Sequence, residues 1–119
     1  MIKITYSSGR DRRECSLWVK GHAGYAEVGK DIVCASASIL AYTVAQEIKD
    51  MEARGQLAEP AFVEIGNGDM AISCRAVNDE TYGEMLHTFY IANVGYRLLA
   101  NNYPNHVEFI TDHRRWKGE

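Results

Sequence analysis

Apolar and polar residues alternate from Met1 to Tyr6, which puts Ile2, Ile4 and Tyr6 on one side. They alternate again from Glu14 to Lys20, grouping Cys15, Leu17 and Val19. A period of two is that of a half-buried strand. The chain is therefore expected to open with two strands joined by a polar turn over Ser7 to Arg13. Past Asp31 the period lengthens. Val33, Ala37, Leu40, Ala41, Val44, Ile48 and Met51 recur at steps of three and four, one face of a helix. Asp31 suits its N-cap, Gly55 its end, and Pro60 bars continuation.

Ala61 to Ile65 and Met70 to Ala76 read as a hairpin around Gly66-Asn67-Gly68-Asp69, with Val63, Ile65, Met70, Ile72 and Cys74 as its apolar face. Helical spacing returns from Asp79 to Ala100 through Tyr82, Leu86, Phe89, Tyr90, Tyr96 and Leu99, with Asp79 as the cap. Tyr103-Pro104 stops it, and Val107 to Ile110 makes a last strand. The order strand, strand, helix, strand, strand, helix, strand predicts an α+β fold. It should be a two-layer sandwich with two helices packed on one face of a mixed, mostly antiparallel sheet. The tyrosine-rich face of the second helix, with Tyr82, Phe89, Tyr90 and Tyr96, is a candidate for packing on that sheet and equally for a dimer surface.

Length and composition narrow the classes. Residues 1–119 fit one domain. A net charge of −3 argues against a general nucleic-acid or membrane-surface binder, so no direct nucleic-acid partner is expected. The basic stretches Arg10-Asp11-Arg12-Arg13 and Arg114-Arg115-Trp116-Lys117 read as a solvated turn and tail, or as contacts for an acidic partner. No apolar run approaches the roughly 18 residues of a membrane span, and Met1 leads directly into a strand pattern rather than a signal peptide. A cytoplasmic protein is expected. Cys15, Cys34 and Cys74 are odd in number and form no C-x-x-C pair, so neither a disulfide framework nor a zinc knuckle is indicated. His22, His87, His106 and His113 lack ligand spacing, and no metal site is assigned.

The candidate chemistry lies in Gly21-His22-Ala23-Gly24-Tyr25-Ala26-Glu27-Val28-Gly29-Lys30-Asp31-Ile32-Val33-Cys34. With Asp31 as N-cap, Cys34 is the third residue of the helix, where unpaired N–H groups and the positive end of the dipole stabilise a thiolate. The same N–H groups, including that of Cys34, are candidates for an oxyanion hole. Gly24 and Gly29 let the loop fold His22 back toward the helix start, where an imidazole about 3–3.5 Å from the sulfur would act as its base. Ser38, one turn beyond Cys34, either bonds the sulfur or a substrate carbonyl or back-bonds to its own helix. Asp31 is the nearest acid for a third role and also a structural cap. The residues alone leave a packed, structural Cys34 open, whereas Cys15 and Cys74 read as core.

Gly21-His22-Ala23 followed by Gly29-x-Asp31-Ile32-Val33-Cys34-Ala35 and Ser38 resembles the signature of the ribosomal-processing cysteine proteases. The likeness extends to Leu99-Ala100-x-x-Tyr103-Pro104-x-x-Val107 and to the order of elements. It implies a small cytoplasmic homodimer that needs no cofactor and removes a short N-terminal extension from a large-subunit ribosomal protein, cutting after an aromatic residue. It also implies Cys34 as nucleophile, His22 as base, and a mobile glycine-rich loop, Tyr25 included, that orders over the bound peptide. The chain departs from the family at Ser36 and Ala37, over Ala45 to Pro60, and in a longer tail from Thr111 to Glu119. Those departures spare the chemistry and admit a phage structural protein with a similar extension as the alternative substrate. The other readings are an acyl thioesterase or transferase using the same Cys-His pair, and a non-catalytic dimeric binding module.

Overall fold

A computed structural model describes residues 1–27, 29–66 and 68–114. Its elements run β1 (Ile2–Gly9), β2 (Glu14–Lys20), α1 (Ile32–Ala53), β3 (Phe62–Gly66), β4 (Asp69–Arg75), α2 (Asp79–Asn102) and β5 (Val107–Arg114). The strands form one sheet in the order β3-β4-β2-β1-β5. β1 and β5 are parallel and the other neighbours antiparallel. The mixed two-layer sandwich is thus as the hydrophobic pattern predicts, and among the described residues no helix is long and apolar enough to cross a membrane.

One sheet face carries Ile2, Ile4, Tyr6, Cys15, Leu17, Val19, Met70, Ile72 and Cys74, all buried, and both helices cover it. Removing such side chains from water is the main drive for the fold, each contributing about 1.5–3 kcal/mol. The ring of Tyr6 lies 5.4 Å from that of Phe89 on α2. Tyr96 is fully buried and donates its hydroxyl hydrogen to the Ala37 carbonyl at 3.1 Å, tying α2 to α1. The opposite sheet face places the Ser16 and Ser73 hydroxyls 3.2 Å apart across β2 and β4, and shares that side with the exposed Trp18, Phe62 and Ile110.

Several boundaries differ from the pattern. β1 continues through Ser7 and Ser8, which are buried and pair with Ser16 and Cys15, so the turn shrinks to Arg10–Arg13. Ladder hydrogen bonds, to which a serine backbone contributes as well as any other, outweigh the polar side chains there. β5 extends to Arg114 because β1 offers a parallel partner along its whole length. The cap of α2 is Asn78 rather than Asp79: its carboxamide oxygen accepts from the Thr81 N–H at 2.8 Å, while Asp79 pairs with Arg13 at 2.8 Å. Ile65 is 55% exposed on an edge strand, and Tyr90 is 58% exposed, stacked on His87. Tyr82, Phe89 and Tyr96 are buried within the chain, so of that candidate dimer surface only Tyr90 stays exposed. Of the basic stretches, Arg12 and Arg13 pair with Glu14 and Asp79. Val28 of the loop, Asn67 of the hairpin tip and the tail from Arg115 lie outside the described residues.

Candidate active site

The loop that leaves β2 is fixed at its first residue. Gly21 has φ 91°, its N–H donates to the Gly68 carbonyl at 2.7 Å, and a Cβ there would sit 2.7 Å from the Met1 carbonyl oxygen. Only glycine fits a left-handed residue pressed against backbone in this way. The turn delivers His22 to the tip of the β3–β4 hairpin. Its ring occupies the space a side chain on Gly68 would take, with a Cβ at that position falling 2.7 Å from Nε2. Gly24 and Gly29 are also left-handed, at φ 68° and 90°.

Asp31 holds the other end of the loop. It is only 7% exposed, caps α1, and uses both carboxylate oxygens. Oδ1 accepts from the N–H groups of Val33 at 2.9 Å and Cys34 at 3.0 Å. Oδ2 accepts from those of Tyr25 at 3.0 Å and Ala26 at 3.2 Å. Burial by itself would raise this carboxyl, but the four N–H donors outweigh it and hold it below its ordinary value. The carboxylate faces the amides it caps, as the sequence suggests. One expectation fails as a result. The N–H groups of Val33 and Cys34 are taken by Asp31, and that of Ala35 by the Asp31 carbonyl at 3.0 Å, so they are not free to form an oxyanion hole.

Cys34 is the third residue of α1 and is half-buried. Its sulfur accepts a hydrogen bond from the Ala23 N–H at 3.2 Å, a donor that stabilises negative charge on it. The sulfur opens onto a cleft of about 640 Å³ whose helix wall is Cys34, Ser38 and Tyr42, at successive four-residue steps. The hairpin residues Ile65, Gly66 and Met70 line it too, as do Gly21, His22 and Gly24. His22 and Cys34 therefore share one cleft, but no hydrogen bond joins imidazole to sulfur. None joins Ser38 to the sulfur either. It is Ser36 that back-bonds, to the Ile32 carbonyl at 2.7 Å. Among the described residues no three His, Cys, Asp or Glu side chains converge as metal ligands would.

Tyr25 points away from this cleft. Its ring packs edge-on against Tyr103 and His106, with centroids 5.4 Å from each. His106 places Nδ1 2.9 Å from the Ala23 carbonyl oxygen. Spacing gives no sign of this contact, which spans 83 positions and depends on β5 lying beside β1. The other two thiols are of a different kind. Cys15 and Cys74 face each other across β2 and β4 and are buried. Burial pushes the Cys15 thiol up to about 12 and raises that of Cys74 as well.

Comparison with known proteins gives three concordant findings. The family model described as "Cysteine protease Prp" matches residues 1–108. The ribosomal processing cysteine protease Prp of Mycoplasma genitalium is 31% identical over 109 residues, covering 90% of this chain and 92% of that one. Among solved structures, a Streptococcus mutans protein superposes with a TM-score of 0.68 at 24% identity, covering 96% of both chains. The Staphylococcus aureus ribosomal processing protease Prp, in complex with a covalently linked product peptide, gives 0.67 at 20% identity, covering 96% of this chain and 100% of that one. At these identities the two structures speak for the fold.

Proposed function

Because the chain belongs to the Prp family of cysteine proteases, we propose that it removes a short N-terminal extension from a large-subunit ribosomal protein, with Cys34 as nucleophile and His22 as general base. The observation that carries this reading is the meeting of both side chains in one cleft, with the Cys34 sulfur at a helix N-terminus and under the Ala23 N–H. A thiol so placed serves chemistry better than packing. Family membership also sets aside the non-catalytic binding module.

The steps follow from the chemistry of the two groups. His22 takes the thiol proton, and the thiolate attacks the scissile carbonyl carbon, forming a carbon–sulfur bond while the carbonyl electrons move onto oxygen. Collapse of that oxyanion breaks the carbon–nitrogen bond, and protonated His22 returns its proton to the departing amine. Water, deprotonated by His22, then hydrolyses the thioester and frees the thiol. The Ala23 N–H, bonded to the sulfur in the resting site, is freed as negative charge passes from sulfur to the carbonyl oxygen, and is the donor we assign to the oxyanion. Imidazole and sulfur come into hydrogen-bond reach when the loop closes on the peptide, a tightening common in the substrate complexes of hydrolases. The exposed Ile65 of β3 and Tyr42 of α1 give the cleft an apolar lining suited to the aromatic residue before the cut. Ser38 lines the cleft from α1, between Cys34 and Tyr42, and is available to a substrate carbonyl. The active form in this reading is a cytoplasmic homodimer.

The test is a cleavage assay with two fluorogenic peptides. One carries the N-terminal extension of a large-subunit ribosomal protein with an aromatic residue before the scissile bond, the other a phage structural protein's extension. Preference for the first supports the proposal, and preference for the second moves the substrate to the phage protein. Hydrolysis of small acyl thioesters with neither peptide cut would overturn it.

A further inference from the structure

We propose that His106 is a positioning residue for the Cys34 site and acts through Ala23, an inference that rests on Cys34 being the nucleophile. Ala23 is 2% exposed and held from both sides: its N–H bonds the Cys34 sulfur at 3.2 Å, and its carbonyl oxygen lies 2.9 Å from His106 Nδ1. A carbonyl oxygen only accepts, so Nδ1 carries the hydrogen and is the donor. The two hydrogen bonds belong to the peptide groups on either side of one Cα. The bond to the carbonyl therefore limits the rotations about that Cα which would swing the N–H off the sulfur.

His106 is anchored well enough for that task. Its own N–H donates to the Tyr103 carbonyl at 2.9 Å, and its carbonyl accepts from the Ile2 N–H at 2.9 Å. These bonds set it on the lip of the sheet, where β5 begins beside β1. The loop before Asp31, by contrast, is mostly exposed and left-handed at Gly21, Gly24 and Gly29. A residue of the rigid layer thus reaches out to hold Ala23, the loop residue whose N–H touches the sulfur. Tyr25, packed edge-on against the same imidazole, adds a second contact whose loss must be told apart from loss of the hydrogen bond.

Asparagine separates the two, since its side-chain N–H₂ can take the place of Nδ1–H but offers Tyr25 no ring. The experiment measures iodoacetamide alkylation of Cys34 at pH 7, by mass spectrometry, and kcat and KM on the ribosomal-extension peptide, for wild type, His106→Ala and His106→Asn. Loss of the positioning bond is expected to slow alkylation and lower kcat by about 10-fold each in His106→Ala, with KM within about twofold. His106→Asn should recover most of both. An alkylation rate unchanged in His106→Ala overturns the proposal. So does an Asn variant that is folded by circular dichroism yet as slow as the Ala variant, because the ring contact with Tyr25 would then be the whole effect. Alkylation needs no substrate, so it reports on His106 independently. Cleavage that survives Cys34→Ala would instead bring down the nucleophile assignment.

Discussion

Cys34 and the pair Cys15 and Cys74 are the same side chain in two physical settings. The pair sits in the middle of the sheet, among Tyr6, Leu17, Ile72 and Met85, with the Cys74 sulfur 3.7 Å from the Cys15 carbonyl and 3.6 Å from the Met85 sulfur. Burial raises both thiols, and for Cys15 it outweighs the hydrogen bond shared with the Tyr6 hydroxyl at 3.5 Å. Cys34 stands at the first turn of a helix, at the wall of a cleft, with a backbone N–H aimed at its sulfur. The element that holds each residue sets what surrounds its sulfur, because the strands pack Cys15 and Cys74 into the core while the helix start places Cys34 where a loop amide, that of Ala23, reaches it.

The contrast can be broken most directly by removing each sulfur. Cys34→Ala should reduce peptide cleavage by about 10⁴-fold or more with little change in thermal stability. Cys15→Ala and Cys74→Ala should stay active at temperatures where they are folded and lose about 1 kcal/mol or more of stability to the cavity each leaves. An inactive, fully folded Cys15→Ala would blur the distinction. His22→Ala comes next: a fall of about 10²–10⁴-fold in kcat/KM is expected, together with slower alkylation of Cys34 alone. In the wild-type protein at pH 8, iodoacetamide should label Cys34 more than about 100-fold faster than Cys15 or Cys74. Label found on Cys74 in the native state would show that the sheet interior opens.

Smaller effects sharpen the same comparison through pH. Asp31→Ala removes a cap and the strap on Tyr25 and Ala26 and should cost about 1–2 kcal/mol in chemical denaturation. Since the Asp31 carboxyl is lowered by folding, its contribution is present above the ordinary carboxylate range and is lost as pH falls through the lowered value, so the gap between wild type and Asp31→Ala should close in acid. The buried thiols behave in the opposite sense. Cys15 is raised from about 9 to about 12, so its contribution is whole below pH 9 and drains away as pH climbs toward 12. Wild type should therefore lose thermal stability over that interval faster than Cys15→Ala. Equal slopes would mean the thiol is already solvated in the native state.

Much of this was written in local pattern. Period-two runs located β1, β2 and β4 and identified their inward residues, and Asp31 and Gly55 bounded α1 to within a residue. The position of Cys34 in that helix followed from Asp31 being its cap, a relation between near neighbours. Local rules failed where neighbours in space competed. Asn78 took the cap from Asp79, Ile65 and Tyr90 were left outside, and Asp31 spent amides that the sequence had left free for an oxyanion.

The sequence by itself determined the fold class, the helix that carries Cys34 and the motif that joins it to a family of cysteine proteases, because periodicity, capping and motif spacing are properties of consecutive residues. Only the tertiary structure decided that His22 settles against Gly68, that Ala23 donates to the sulfur, and that His106 holds Ala23 from a strand 83 positions away. Such contacts depend on which strands lie side by side, and no local pattern encodes that adjacency.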